Sequence, residues 1–121
     1  MAKRAGVARG LSRGDIRLVE FGRPDKTRPV LVLTRAAGLV ALNAATVAPI
    51  TRTIRGIRSE VLVGEPEGLS EPSVIKLDAL QTVPHERLGR YVGSLSRARM
   101  REVRRALLYS LDLETDEDLD A

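Results

Sequence analysis

Arg28-Pro29-Val30-Leu31-Val32-Leu33 is apolar at every position after the proline. Four consecutive branched aliphatics without alternation describe a strand covered on both faces, because successive side chains point to opposite sides. Some twenty residues on, Ala48-Pro49-Ile50-Thr51 closes a second apolar run that begins at Thr46. Each run carries a polar group at its end, a guanidinium at Arg28 and a hydroxyl at Thr51. Pro49 predicts a bulge or an edge, since proline removes a ladder donor.

Outward from these runs the chain reads as short strands. Asp15 to Phe21 sets Ile16 and Leu18 against Arg17 and Glu20, the alternation of a half-buried strand. Gly22 to Thr27 has turn composition. Leu39 to Leu42 predicts a short helical turn, and Arg52 to Arg58 a basic loop. Ser59 to Val63 reads as a strand, Gly64 to Pro72 as a loop, and Ser73 to Val83 as one bent strand. Pro84 to Leu88 reads as a single helical turn and Tyr91 to Gly93 as a last strand. Ser96 caps a helix to about Ser110, with Met100, Val103, Leu107 and Leu111 on one face. The class is α+β and mainly β, a small, strongly curved antiparallel sheet or barrel with a C-terminal helix.

The chain has 121 residues, no cysteine and one histidine, with a net charge of +4. This length suits one domain. The missing cysteines remove thiolate chemistry, argue against a structural zinc and fit a reducing cytoplasm. No apolar stretch approaches a membrane span, and no long apolar run follows the basic N-terminal residues, so a secretory signal is not expected. Residues 1–12 read as a flexible basic arm and residues 114–121 as an acidic, disordered tail. That tail holds five of the sixteen acids, so residues 1–113 carry twenty basic groups against eleven acids. Such a body suits a polyanion. Seventeen of the twenty basic residues are arginine, which favours forked phosphate recognition. With only Phe21, Tyr91 and Tyr109 as aromatics, binding through stacked aromatic platforms is not expected.

The segments, taken in order over residues 13–113, resemble the MazF/PemK family of ribonuclease toxins. They are Arg13-Gly14-Asp15-Ile16, Arg28 to Leu33, Val47-Ala48-Pro49-Ile50-Thr51, Gly68-Leu69 with Pro72-Ser73-Val74-Ile75, Leu80 to Val83, Arg87-Leu88, Gly93 to Ser96, and Met100 to Leu111. The resemblance implies an SH3-like curved antiparallel barrel of the MazF/PemK/CcdB kind, and a homodimer. It implies metal-independent cleavage of single-stranded RNA with no cofactor, leaving 2′,3′-cyclic phosphate and 5′-hydroxyl ends. It also implies a cognate antitoxin with an acidic, disordered tail that blocks the RNA groove.

Residue by residue, the resemblance makes Arg28 and Thr51 the catalytic pair. Arg28 suits a phosphate clamp, because parallel N–H donors match two phosphate oxygens. It suits a general base poorly, because it stays protonated. Thr51 can donate to a phosphate oxygen. Arg52, Arg55, Arg58 and Ser73 are the expected RNA contacts, and Glu20 and Asp78 the carboxylates available as base. His85 is expected at the surface, outside the site. Two features depart from the family: the short connection from Phe21 to Arg28, and Arg97 and Arg99 in the first helical turn, where the macrodipole favours acids. Two other functions fit the same fold: a toxin that binds a protein such as DNA gyrase, and a non-catalytic RNA-binding regulator.

Overall fold

The computed structural model describes residues 10–20 and 27–120. Most of the expected basic arm, and the Phe21-to-Arg28 connection up to Lys26, lie outside the described residues. Seven strands form one sheet: β1 Asp15–Glu20, β2 Thr27–Val32, β3 Ala44–Thr51, β4 Glu60–Val63, β5 Ser73–Lys76, β6 Gln81–Pro84 and β7 Tyr91–Ser94. The helices are α1 Ala36–Ala41, α2 Arg97–Ser110 and α3 Asp116–Asp120. The strand order is β4-β5-β3-β2-β1-β7, with β6 also on β3, and every strand pairing among the described residues is antiparallel. The expectation of a mainly β, curled antiparallel sheet with a C-terminal helix holds.

β3 organises this sheet. Its first half, Ala44 to Val47, pairs with β6, and its last two residues, Ile50 and Thr51, pair with β5. Pro49 falls where one partner has ended and the other has not begun, so its missing N–H breaks no ladder on that edge. The one bent strand expected from Ser73 to Val83 is in fact two. Extending the Ile50–Ile75 register would bring Leu80 opposite Ala45, but Val83 stands there. The turn through Leu77 and Asp78 takes up the extra residues and lets the sheet curl.

The unbroken apolar run of β2 has a direct cause. Leu31 and Leu33 enter one core with Ile16, Ala48, Ile50, Ile75 and the α2 residues Val103 and Ala106. Val30 and Val32 enter a second core with Val19, Leu39, Val47, Val83 and Leu88. The sheet is thus sandwiched, with α2 over one face. The expected alternation of β1 slips accordingly: Ile16 and Val19 are buried in different cores, and Leu18 is only half-buried. Ser96 caps α2 by accepting from the Arg99 amide at 3.1 Å. Leu111, expected on the apolar face, lies beyond the helix and is exposed.

Two further expectations need correction. His85 is fully buried, opening a 3₁₀ turn, with its amide donating to the Asn43 carbonyl at 3.0 Å. The C-terminal acids are not wholly irregular, because Thr115 and Asp118 cap α3 reciprocally. The Asp118 carboxylate accepts from the Thr115 amide at 2.9 Å, and the Thr115 hydroxyl accepts from the Asp118 amide at 3.4 Å. Among the described residues, no helix is long and apolar enough to cross a membrane.

Candidate active site

β2 and β3 run antiparallel with Val30 opposite Pro49. Continuing that register by two residues sets Arg28 opposite Thr51. Both are anchored by strands that enter the core within two residues, at Val30 and Ile50, so two polar groups stand on rigid supports. They line one cavity of about 470 Å³ with Arg52, Ser73, Leu69, Ser70 and Glu71, among others.

The hydroxyl of Thr51 accepts a hydrogen bond from the Thr53 amide at 3.2 Å. That contact uses an oxygen lone pair and leaves the hydroxyl proton free to be donated. Arg28 makes no ion pair among the described residues, so its whole fork is available. Arg52 is exposed and pairs with Glu71, Nη1 to Oε2, at 2.8 Å. Ser73 is buried and donates to the Glu71 carbonyl at 3.1 Å, so its proton is committed to shaping the loop. The cavity therefore presents two guanidiniums and a hydroxyl donor, opposed by one carboxylate, to an anion.

The other expected residues lie elsewhere. Glu20 lines an adjoining cavity of about 540 Å³ with Glu86, Arg87 and Arg90, and Thr27 borders both hollows. Asp78 accepts from the Ser59 hydroxyl in the turn after β5 and does not line the Arg28 cavity. Arg55 contributes only its backbone amide, to Glu60 at 3.0 Å. Arg58 points to the far end of α2, stacked 4.1 Å from the Tyr109 ring centroid and paired with Glu114. Glu71 escaped sequence reasoning. Its place depends on the fold of the Gly64–Pro72 loop, and in sequence it is one glutamate among several in a solvated segment. Among the described residues, no group of three or more His, Cys, Asp or Glu side chains could hold a metal ion.

The loop that delivers Ser70, Glu71 and Ser73 is fastened at two points. Glu67 is buried, accepts from the Gly64 amide at 2.7 Å and reaches Arg99 at 3.5 Å. Gly68 and Gly93 then pass so closely that a Cβ on either would collide with the backbone of the other segment. Gly68 also has a φ of 93°, in the left-handed region that favours glycine.

A family model described as "PemK-like, MazF-like toxin of type II toxin-antitoxin system" matches residues 12–111. The chain belongs to the MazF/PemK toxin family. The endoribonuclease MazF3 of Mycobacterium tuberculosis is 40% identical over 99 residues, covering 82% of this chain and 96% of that protein. The M. tuberculosis toxin MazF-mt6 superposes with a TM-score of 0.77 at 40% identity, over 84% of this chain and 99% of the other. A mycobacterial endoribonuclease solved in complex with its cognate antitoxin shares the fold, with a TM-score of 0.79 at 24% identity over 87% and 98% of the two chains. Residues 12–111 span all seven strands and α2, so family membership extends over the whole sheet and its covering helix.

Proposed function

We propose that this chain is the toxin of a toxin–antitoxin pair, a cytoplasmic endoribonuclease that cuts single-stranded RNA without a metal and so arrests translation and growth. The observation that carries this reading is the shared cavity of Arg28 and Thr51, with a free guanidinium fork and a free hydroxyl proton facing one space.

In the proposed reaction the RNA 2′-oxygen attacks the adjacent phosphorus. The new O–P bond forms as the bond to the 5′-oxygen breaks, giving a 2′,3′-cyclic phosphate and a 5′-hydroxyl. Arg28 holds two non-bridging oxygens and Thr51 donates to the phosphoryl group, so charge building on the phosphorane meets donors already in place. Glu71 takes the 2′ proton, and the departing 5′-oxygen is protonated from water. Glu71 is preferred to Glu20 because it shares the cavity, and to Asp78 because Asp78 is held by Ser59. Its contact with Arg52 is an exposed ion pair, which holds weakly and yields when a phosphate arrives.

The toxin acts as a homodimer, and its partner is an antitoxin whose acidic segment competes with RNA for the cationic cavity. The deciding experiment incubates the purified chain with long single-stranded RNA and EDTA, then maps fragment ends. Discrete fragments with 5′-hydroxyls are expected. Intact RNA accompanied by gyrase arrest would point to a protein-binding toxin, and RNA binding without cleavage to a regulator.

A further inference from the structure

The arginines of α2 are not used alike. Arg99 is paired with Glu102 at 3.0 Å and with Glu67 at 3.5 Å. Arg97 and Arg101, one turn apart, have no ion pair among the described residues, and the first turn contains no acid. Like charges at that spacing repel across one turn, and the helix N-terminus adds to the positive field.

These two side chains do not simply project into solvent. With Arg13 and Arg104 they line a hollow of about 450 Å³, floored by Leu95 and Met100. Arg13 comes from a separate segment, before β1, and its position is fixed. Its Nε donates to the Leu33 carbonyl at 3.0 Å, which leaves its two terminal amino groups free of partners among the described residues. Beside it, Gly14 donates to the Val32 carbonyl at 2.8 Å and accepts from the Leu95 amide at 3.0 Å. Four guanidiniums from two rigid segments therefore converge, and no carboxylate lines the hollow. Asp118, which does not line it, touches Arg104 at 3.5 Å.

We propose that this hollow is a second RNA-binding site, which grips backbone phosphates of the substrate strand away from the Arg28–Thr51 cavity. The inference rests on RNA being the polyanion this chain handles. Arginine forks match phosphate oxygens in pairs, and an RNA strand supplies a charge at every nucleotide. An acidic peptide fits less well. The chain's own acidic segment meets the hollow only at Arg104, with one carboxylate.

The test uses the full chain carrying Arg28→Ala, so that binding is read without cleavage. Into it go Arg97→Gln with Arg101→Gln, and separately Arg13→Gln. Arg97 and Arg101 are exposed and unpaired, so the double variant should melt no lower than its parent, whereas Arg13→Gln gives up the bond to the Leu33 carbonyl and should melt slightly lower. For long single-stranded RNA at low salt, the double variant should bind about tenfold more weakly, with the log–log salt slope shallower by roughly 1.4 for two lost phosphate contacts. A short oligonucleotide that fills only the cavity should bind as before. Arg97→Lys with Arg101→Lys, which keeps charge but not the fork, should recover part of the loss. Unchanged affinity and slope for long RNA would overturn the proposal, as would an equal loss on the short oligonucleotide. Lost binding of an acidic peptide with RNA binding intact would assign the hollow to a protein partner and overturn it as well. Because binding is read without turnover, failure of the cleavage assay and failure of this site remain separate results.

Discussion

Oε2 of Glu71 lies 2.8 Å from Nη1 of Arg52, and both side chains border the cavity that holds Thr51. A carboxylate and a guanidinium thus neutralise each other where an anion is to bind. Removing either changes both the charge of the cavity and the freedom of the other. Glu71→Gln should lower kcat by about two orders of magnitude, the usual range for a positioned general base. It should lower KM, because Arg52 is released to the phosphate. Glu20→Gln should keep kcat near that of the parent. An unchanged kcat in the Glu71 variant would remove Glu71 from the mechanism.

Arg28→Ala and Thr51→Ala should each reduce RNA cleavage by roughly two to three orders of magnitude, as for loss of one donor to a developing oxyanion. Thr51→Ser should retain most activity, because the donated proton is kept. Neither position is buried, so melting temperatures should shift little. Single-turnover cleavage and calorimetry on the same preparations check both halves.

His85 is fully buried, and neither ring nitrogen has a hydrogen-bond partner among the described residues. Such a group lowers stability by roughly 1–3 kcal/mol relative to a satisfied one. His85→Leu should therefore raise the denaturation midpoint, whereas His85→Ala should lower it by leaving a void. RNA cleavage should survive both, since the residue lines neither cavity beside Arg28. A Leu variant less stable than the parent would show that the ring makes a polar contact in solution.

Burial such as that of His85 is only partly written in local sequence. Val30 to Leu33 was legible because a strand between two cores needs apolar groups at both parities. Arg28 and Thr51 could be paired in the sequence because each ends an apolar run and the family order names them; the structure sets them in one cavity. His85 was not, because its burial comes from the pairing of β6 with β3 and from Asn43, more than forty residues away in sequence. Glu71 was hidden for a similar reason: a glycine crossing with β7 sets its loop, and nothing in Ser70-Glu71-Pro72 records that. The helix at the acidic end did have a local signature, the Thr115-Asp116-Glu117-Asp118 capping pattern, which the density of charge obscured.

That cap gives a pH dependence with a definite sign. The Asp118 carboxyl is held below its ordinary value of 3.8, first by the Thr115 amide and then by the Thr115 hydroxyl, with Arg104 adding to it. A depressed carboxyl stabilises the folded form above the unfolded value and loses that effect as pH falls through the folded one. The Thr115 amide should therefore stay protected from pH 7 down to about 4 and lose protection only below 3.8. Asp118→Asn should make protection independent of pH over that range. Amide exchange by NMR reads both.

Gly93→Ala should be among the most damaging single changes outside the cores. Its new methyl would meet the Glu67 carbonyl, a backbone atom that cannot swing aside. A loss of about 3 kcal/mol or more is expected by chemical denaturation, with cleavage falling as the Ser70–Ser73 loop shifts. Gly56→Ala, with a φ of 73° but open space around it, should lose less.

The glycine crossing also separates two kinds of inheritance. Because backbone on backbone holds the loop, the side chains at Ser70, Glu71 and Pro72 take no part in fixing its course at that point. Those at Ser70 and Pro72 are free to change while Glu71 stays in the loop and Arg28 and Thr51 keep their places on β2 and β3. A lineage built on this frame can reshape the wall of the cavity at Ser70 without rebuilding the strands that hold Arg28 and Thr51, and can do so one codon at a time.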